Sequence, residues 1–243
     1  MIGLGTIINS GAIILGGIIG LIFGKIISER FQKIVTVAMG LSVFAMSVSG
    51  FVSKMLVITD GGVETAGTFM MIFSLVLGAV SGEAIDLDRR LESFGGWLKR
   101  KTGSSGDTTF VDGFMNASLT VCIGAMAVIG ALTDGLSGDY SILLTKSVLD
   151  FVMVIVMTSS MGKGCIFSAI PVAVLQGTVT LGARLISPIM NTAATNNLSL
   201  VGSVLIMCVG VNLVADGKFR IKVANLLPAI VFAVAAAYIP FLN

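Results

Sequence analysis

Residues 142–161 read ILLTKSVLDFVMVIVMTSSM, an apolar run in which Lys146 and Asp150 are the only ionisable side chains. About 20 mostly apolar residues suffice for a helix to cross a hydrocarbon core of about 30 Å. Working outward, further apolar runs fall at 2–24, 31–52, 67–82, 114–132, 165–186, 198–215 and 223–242. The runs at 67–82 and 198–215 are short. The chain is 55% hydrophobic and 12% charged. That is about half the charge of an average soluble domain, too little to cover a globular surface. The chain therefore reads as an all-α membrane protein, a single transmembrane domain over 1–243 with about eight transmembrane helices.

The loops test that count. With eight spans, one side receives Lys25, Arg30, Lys33, Arg89, Arg90, Lys99, Arg100, Lys101, Lys163, Lys218, Arg220 and Lys222, twelve of the fifteen basic residues. The other receives Lys54, Lys146 and Arg184. Cytoplasmic loops collect Lys and Arg, so the first side is expected to be cytoplasmic and both termini to face outward. The N-terminus is apolar from Ile2 and lacks the basic n-region of a signal peptide, so the first run is expected to be a retained span.

Several function classes find no support. Histidine is absent, which removes the commonest metal ligand and proton relay. Cys122, Cys165 and Cys208 form no CxxC pair and read as small hydrophobes. No GxSxG or Walker motif occurs, so no catalytic residue, metal or cofactor is expected. No basic patch points to nucleic acid. The thirteen methionines read as packing filler.

Lys146 and Asp150 carry the strongest chemical signal. Four residues apart, they share a helical face. If the helix starts near Ser141, Asp150 lies about 14 Å deep at 1.5 Å per residue. Ionisable residues at that depth face the protein interior and mark ion or substrate paths. Two readings stand: a structural pair that locks the helix, or a functional pair in which Asp150 takes up a proton or cation and Lys146 meets an anionic solute.

Laying the chain on itself at an offset of 162 residues places the first, second and third runs over the sixth, seventh and eighth. The candidate repeats are 1–84 and 165–243, a 3+3 inverted repeat flanking a central helix pair at 114–161. Inverted copies characterise many secondary transporters. In the first copy Asn9, Ser10 and Gly11 interrupt the apolar run, and Pro171 stands at the same offset in the second, followed by Gln176. Paired interruptions point to a midplane site; Asn9 and Gln176 could equally bond across helices as glue. Ala12, Gly16, Gly20 and Gly24 form a ridge of small residues for close helix packing, within the chain or in a homodimer. In the cytoplasmic loop 83–113, Leu87, Leu91, Phe94 and Leu98 share one face of an amphipathic helix, followed by Lys99, Arg100 and Lys101, suited to anionic lipid.

The stretch GTIINSGAIILGGIIG at 5–20, Gly82-Glu83, TDGLSGDYSILLTKSVLDF at 133–151 and NLLPA at 225–229 resemble a bacterial membrane protein family of unknown function, the one containing YqgA and YdfK. That family often carries proline after the Gly-Asp of the outer loop, where this chain has Tyr140. The resemblance implies a location in the bacterial inner membrane and no particular activity. Three functions fit the residues: a secondary transporter or permease for an ion or small polar solute, with Asn9, Ser10, Gly11, Lys146, Asp150, Pro171 and Gln176 lining its path; a passive channel; or a non-transporting scaffold or sensor using 87–98.

Overall fold

A computed structural model describes residues 1–26, 28–59, 62–215 and 219–239. Helix α1 (Leu4–Ile26) and helix α2 (Glu29–Met55) lead into a two-stranded hairpin, β1 (Leu56–Thr59) and β2 (Gly62–Thr65), with Leu56 opposite Thr65. Then come α3 (Thr68–Ile85), α4 (Leu87–Lys101), α5 (Phe110–Cys122), α6 (Ala125–Ser137) and α7 (Ser141–Met161). A 3-10 segment (Lys163–Ser168) runs into α8 (Ala169–Leu181). After it follow the short α9 (Ala183–Ile186), α10 (Thr192–Ala215), α11 (Val223–Leu226) and α12 (Pro228–Ala236).

Among the described residues, six helices are long and apolar enough to cross a membrane, seven if α5 and α6 count as one span bent by 60°. Segment Val223–Ala236 is apolar but shorter, and the expected end of its run, 240–242, lies outside the described residues. Apolar side chains cover the outside: Leu181, Leu185 and Val231 are 88%, 81% and 69% exposed. Apolar surface on this scale belongs in lipid rather than water.

Small residues decide which helices meet. A Cβ on Gly16, Gly20 or Gly24 would come within 2.6, 2.5 or 2.8 Å of the carbonyl oxygens of Phe151, Ile155 or Ser159. The ridge therefore seats α1 along α7, and the two run parallel. Gly40 and Gly210 face each other across α2 and α10, each Cβ position 2.9 Å from the other's carbonyl oxygen. Further along the same pair Gly50 meets Ser203, so those helices run antiparallel. Gly78 against Ala229 and Gly82 against Asn225 set α3 antiparallel to the α11–α12 segment.

The break between α5 and α6 has a backbone cause. Gly124 sits at φ 143°, ψ 150°, which only glycine adopts readily. The sequence reading placed no interruption there. It placed one at Asn9, Ser10 and Gly11, yet α1 runs unbroken through all three. Pro171 stands in the first turn of α8, three residues after the 3-10 segment gives way to α-helix, in the middle of the continuous helical stretch Lys163–Leu181. The α5–α6 segment begins beside Met161, which Gly113 approaches, and ends at Asp134, which accepts hydrogen bonds from Gly3 and Gly5 N–H. It thus runs the length of α7, between the same two ends as α1.

One end gathers the basic residues. Arg220 pairs with Asp88 at 2.9 Å and Lys222 with Glu83 at 2.8 Å. Asn225 accepts from Asp88 N–H and donates to Glu83. At the opposite, far end Lys54 donates to Asn196. Helix α4 lies at the basic end with Leu98 buried against Phe110, Phe114 and Met115, while partly exposed Phe94 stacks on Trp97 and tilts against Phe114.

Candidate functional site

The site is built in tiers inside α1, α5, α7 and α8. Ile13, Val121, Val154, Ala169 and Val172 form one buried apolar cluster. One turn toward the far end from Ile13, Val154 and Val172 stand Asn9, Asp150 and Gln176. A spacing of four keeps each on the same helical face as the residue below it. Gly17 lies against Ile166 of the 3-10 segment while Ile13 shares the cluster with Val172, so α1 and α8 run antiparallel and Asn9 and Gln176 each stand one turn beyond the cluster.

Lys146 Nζ donates to both carboxylate oxygens of Asp150 at 2.8 Å. Asn9 Nδ2 donates to Asp150 Oδ2 at 3.0 Å. All three residues are buried, Asn9 completely. An ion pair at such depth offsets the desolvation of its charges only through close geometry and added hydrogen bonds, and Asn9 supplies one. Cys122 ends α5 at the break and packs against the apolar cluster.

Other buried polar atoms in these helices have no partner among the described residues. They are Asn9 Oδ1, both amide atoms of Gln176, Thr6 Oγ1 and Ser10 Oγ. On the basic side of the apolar cluster, Ser118 and Ser168 keep buried hydroxyls without partners among the described residues. Of the residues singled out from sequence, Asn9, Lys146 and Asp150 thus bond directly. Gln176 shares their tier, and Ser10 is half-buried one residue along α1. Gly11 touches nothing within 4 Å of its Cβ position, and Pro171 is half-buried beside Val172. Ala12 is half-buried one turn before Gly16.

Sequence reading missed Asp134. Fully buried, its carboxylate accepts from Gly3 N–H at 3.1 Å and Gly5 N–H at 3.0 Å. A carboxylate at a helix start satisfies orphan donors and complements the helix dipole. Its only trace in the sequence is an acid near the end of an apolar run.

A cavity of about 570 Å³ opens at the basic end rather than around the ion pair. Lys33, Asp88, Asp112, Asn116, Ser160 and Arg220 are among its lining residues, with Leu119 on its wall. Burial pushes the Asp88 carboxyl above the usual range, and the Arg220 guanidinium pulls against that rise.

A family described as protein of unknown function (DUF554) matches residues 4–238. YdfK of Bacillus subtilis (strain 168), named an uncharacterised membrane protein, is 33% identical over 226 residues, 93% of this chain and 92% of that one. YqgA of Escherichia coli (strain K12), named an uncharacterised protein, is 26% identical over 234 residues, 95% and 94% of the two chains. No solved structure matches significantly. With a family match across nearly its whole length and a membrane protein among its relatives, this helical membrane protein belongs to the DUF554 family.

Proposed function

We propose that the protein is a secondary transporter for an ion or small polar solute, with its central site at Asn9, Lys146, Asp150 and Gln176. The observation that carries this is the surplus of buried polar groups around one ion pair. A purely structural lock would satisfy its donors and acceptors, as buried polar groups generally do. Here Asn9 Oδ1, the hydroxyl of its neighbour Ser10 and the Gln176 amide of α8 have no partner among the described residues. Intramembrane groups of this kind serve substrate and ion paths.

Packing supports the mirrored arrangement that alternating access needs. Each of the three helix pairs matched at the 162-residue offset packs antiparallel: α1 with α8, α2 with α10, α3 with α11–α12. The long α1–α7 contact has a counterpart in the contact of α5–α6 with the 3-10 segment and α8. Counting α5–α6 and Val223–Ala236 as crossings makes eight spans. The basic end then faces the cytoplasm and both termini face outward, in the bacterial inner membrane.

The test is flux in liposomes containing the purified chain, using a panel of monovalent ions, amino acids, organic acids and sugars under imposed ion gradients. The wild-type chain is expected to carry one class, and Asp150→Asn, reconstituted to equal density, to carry none. Channel-like rates, insensitive to Asp150, would contradict a carrier.

A further inference from the structure

The basic-end cavity lies apart from the ion pair and holds charges of both signs. Its positive wall is Arg220 and Lys33. Arg220 spends Nη2 on Asp88 Oδ2, at 2.9 Å, and on the Met115 sulfur. Its Nε and Nη1 make no hydrogen bond among the described residues, and neither does the Lys33 ammonium. Arg220 is nevertheless held in place, because Asn212 clamps the next residue, Ile221, through paired backbone bonds of 2.8 Å. The opposing charge is Asp112, in the first turn of α5, whose carboxylate is likewise free of hydrogen bonds among the described residues. One turn along α5, on the same face, stands half-buried Asn116, its amide also without a partner.

We propose that this cavity binds a small solute carrying an anionic group and an ammonium group in one molecule, of the size of a free amino acid. Its volume of about 570 Å³ falls within the range of about 300–1,000 Å³ usual for small-molecule sites. A simple anion would meet Asp112 and a simple cation would meet Lys33 and Arg220. A molecule with both charges escapes both repulsions, and discrimination of this kind rests on the repulsive element as much as on the attractive one. The anionic group faces Arg220 and Lys33; the ammonium faces Asp112 and the Asn116 carbonyl.

The role of the site, though not its ligand class, rests on the transporter reading. The cavity is then the port at the basic end. Leu119 is on its wall, and Met157, one turn inward from its lining residue Met161, is buried. The same pair of charges occurs in a free amino acid and in an ethanolamine phospholipid headgroup, so the test contains both.

The experiment is thermal unfolding and calorimetric titration of the full chain in detergent. Probes are glycine and L-alanine, their amides, their N-acetyl derivatives, and glycerophosphoethanolamine. At least one probe bearing both charges is expected to raise the melting temperature at millimolar concentration, while its singly charged derivatives do not. Lys33→Gln and Asp112→Asn, which break no observed bond, should each weaken binding about tenfold, the loss of one charge-assisted contact. Binding by glycerophosphoethanolamine alone would identify a lipid headgroup as the source of the same chemistry. The proposal is overturned if amides or N-acetyl derivatives bind as well as their parents, if neither substitution changes affinity, or if no probe binds. Binding without flux would leave this site standing and remove the transporter reading; flux of a singly charged solute would do the reverse.

Discussion

Lys146, Asp150 and Asn9 divide the legible from the illegible at the scale of single residues. The i, i+4 spacing of Lys146 and Asp150 announces their ion pair, because a helix puts them on one face. Nothing local announces that Asn9 completes it, since that bond depends on α1 lying parallel to α7. Removing one partner leaves a bare buried charge, so Lys146→Met should lower stability by about 3–5 kcal/mol, read from thermal unfolding in detergent. The double variant Lys146→Met/Asp150→Leu should recover most of that loss, because two packed apolar residues replace two desolvated charges. If the double variant is less stable than Lys146→Met, the desolvation of the two charges is not the larger cost. Asp134 was invisible in sequence because its partners are backbone N–H groups some 130 residues away. Its replacement by Ala should cost about 1–3 kcal/mol, from lost capping and two stranded donors; an unchanged melting temperature would show that the α1 start does not depend on it.

At the scale of elements, the glycines of the small-residue ridge lie where helices meet, and nothing in the sequence assigns them to partners. The Gly16, Gly20 and Gly24 ridge fits α7 because its carbonyls come too close to admit a side chain. Gly20→Leu should therefore destabilise by at least about 1–3 kcal/mol. Gly11→Ala, on an open face of the same helix, should be neutral or stabilising by up to about 1 kcal/mol. Equal effects of the two, compared by thermal unfolding, would contradict the α1–α7 seat. The expected interruption at Asn9–Gly11 failed because Asn9 finds its partner across the helices without leaving helical geometry. The actual break was hidden in Ile123-Gly124, where nothing but a single glycine marks it. Gly124→Ala should cost about 1–3 kcal/mol through its φ of 143°. The 56–65 hairpin also escaped notice, since two four-residue strands leave too short a pattern against long apolar runs.

For the whole molecule, composition and the lopsided distribution of Lys and Arg were enough to indicate a helical membrane protein with one basic end. They do not give the order in which helices pack, which arises from glycine contacts between distant segments. Introduced cysteines report the two ends separately once the native ones are replaced. A label at Ser105 should react only from the cytoplasmic side, and one at Asp139 only from outside; the reverse result would overturn the orientation and the assignment of the cavity to the cytoplasm. The central claim is that the buried Asp150 carboxylate serves passage of a solute rather than mere cohesion. Its most direct measurement is flux into liposomes holding equal amounts of folded wild-type or Asp150→Asn chain. The account predicts solute uptake by the wild-type chain and none by the variant. Uptake at the same rate by both chains would contradict it.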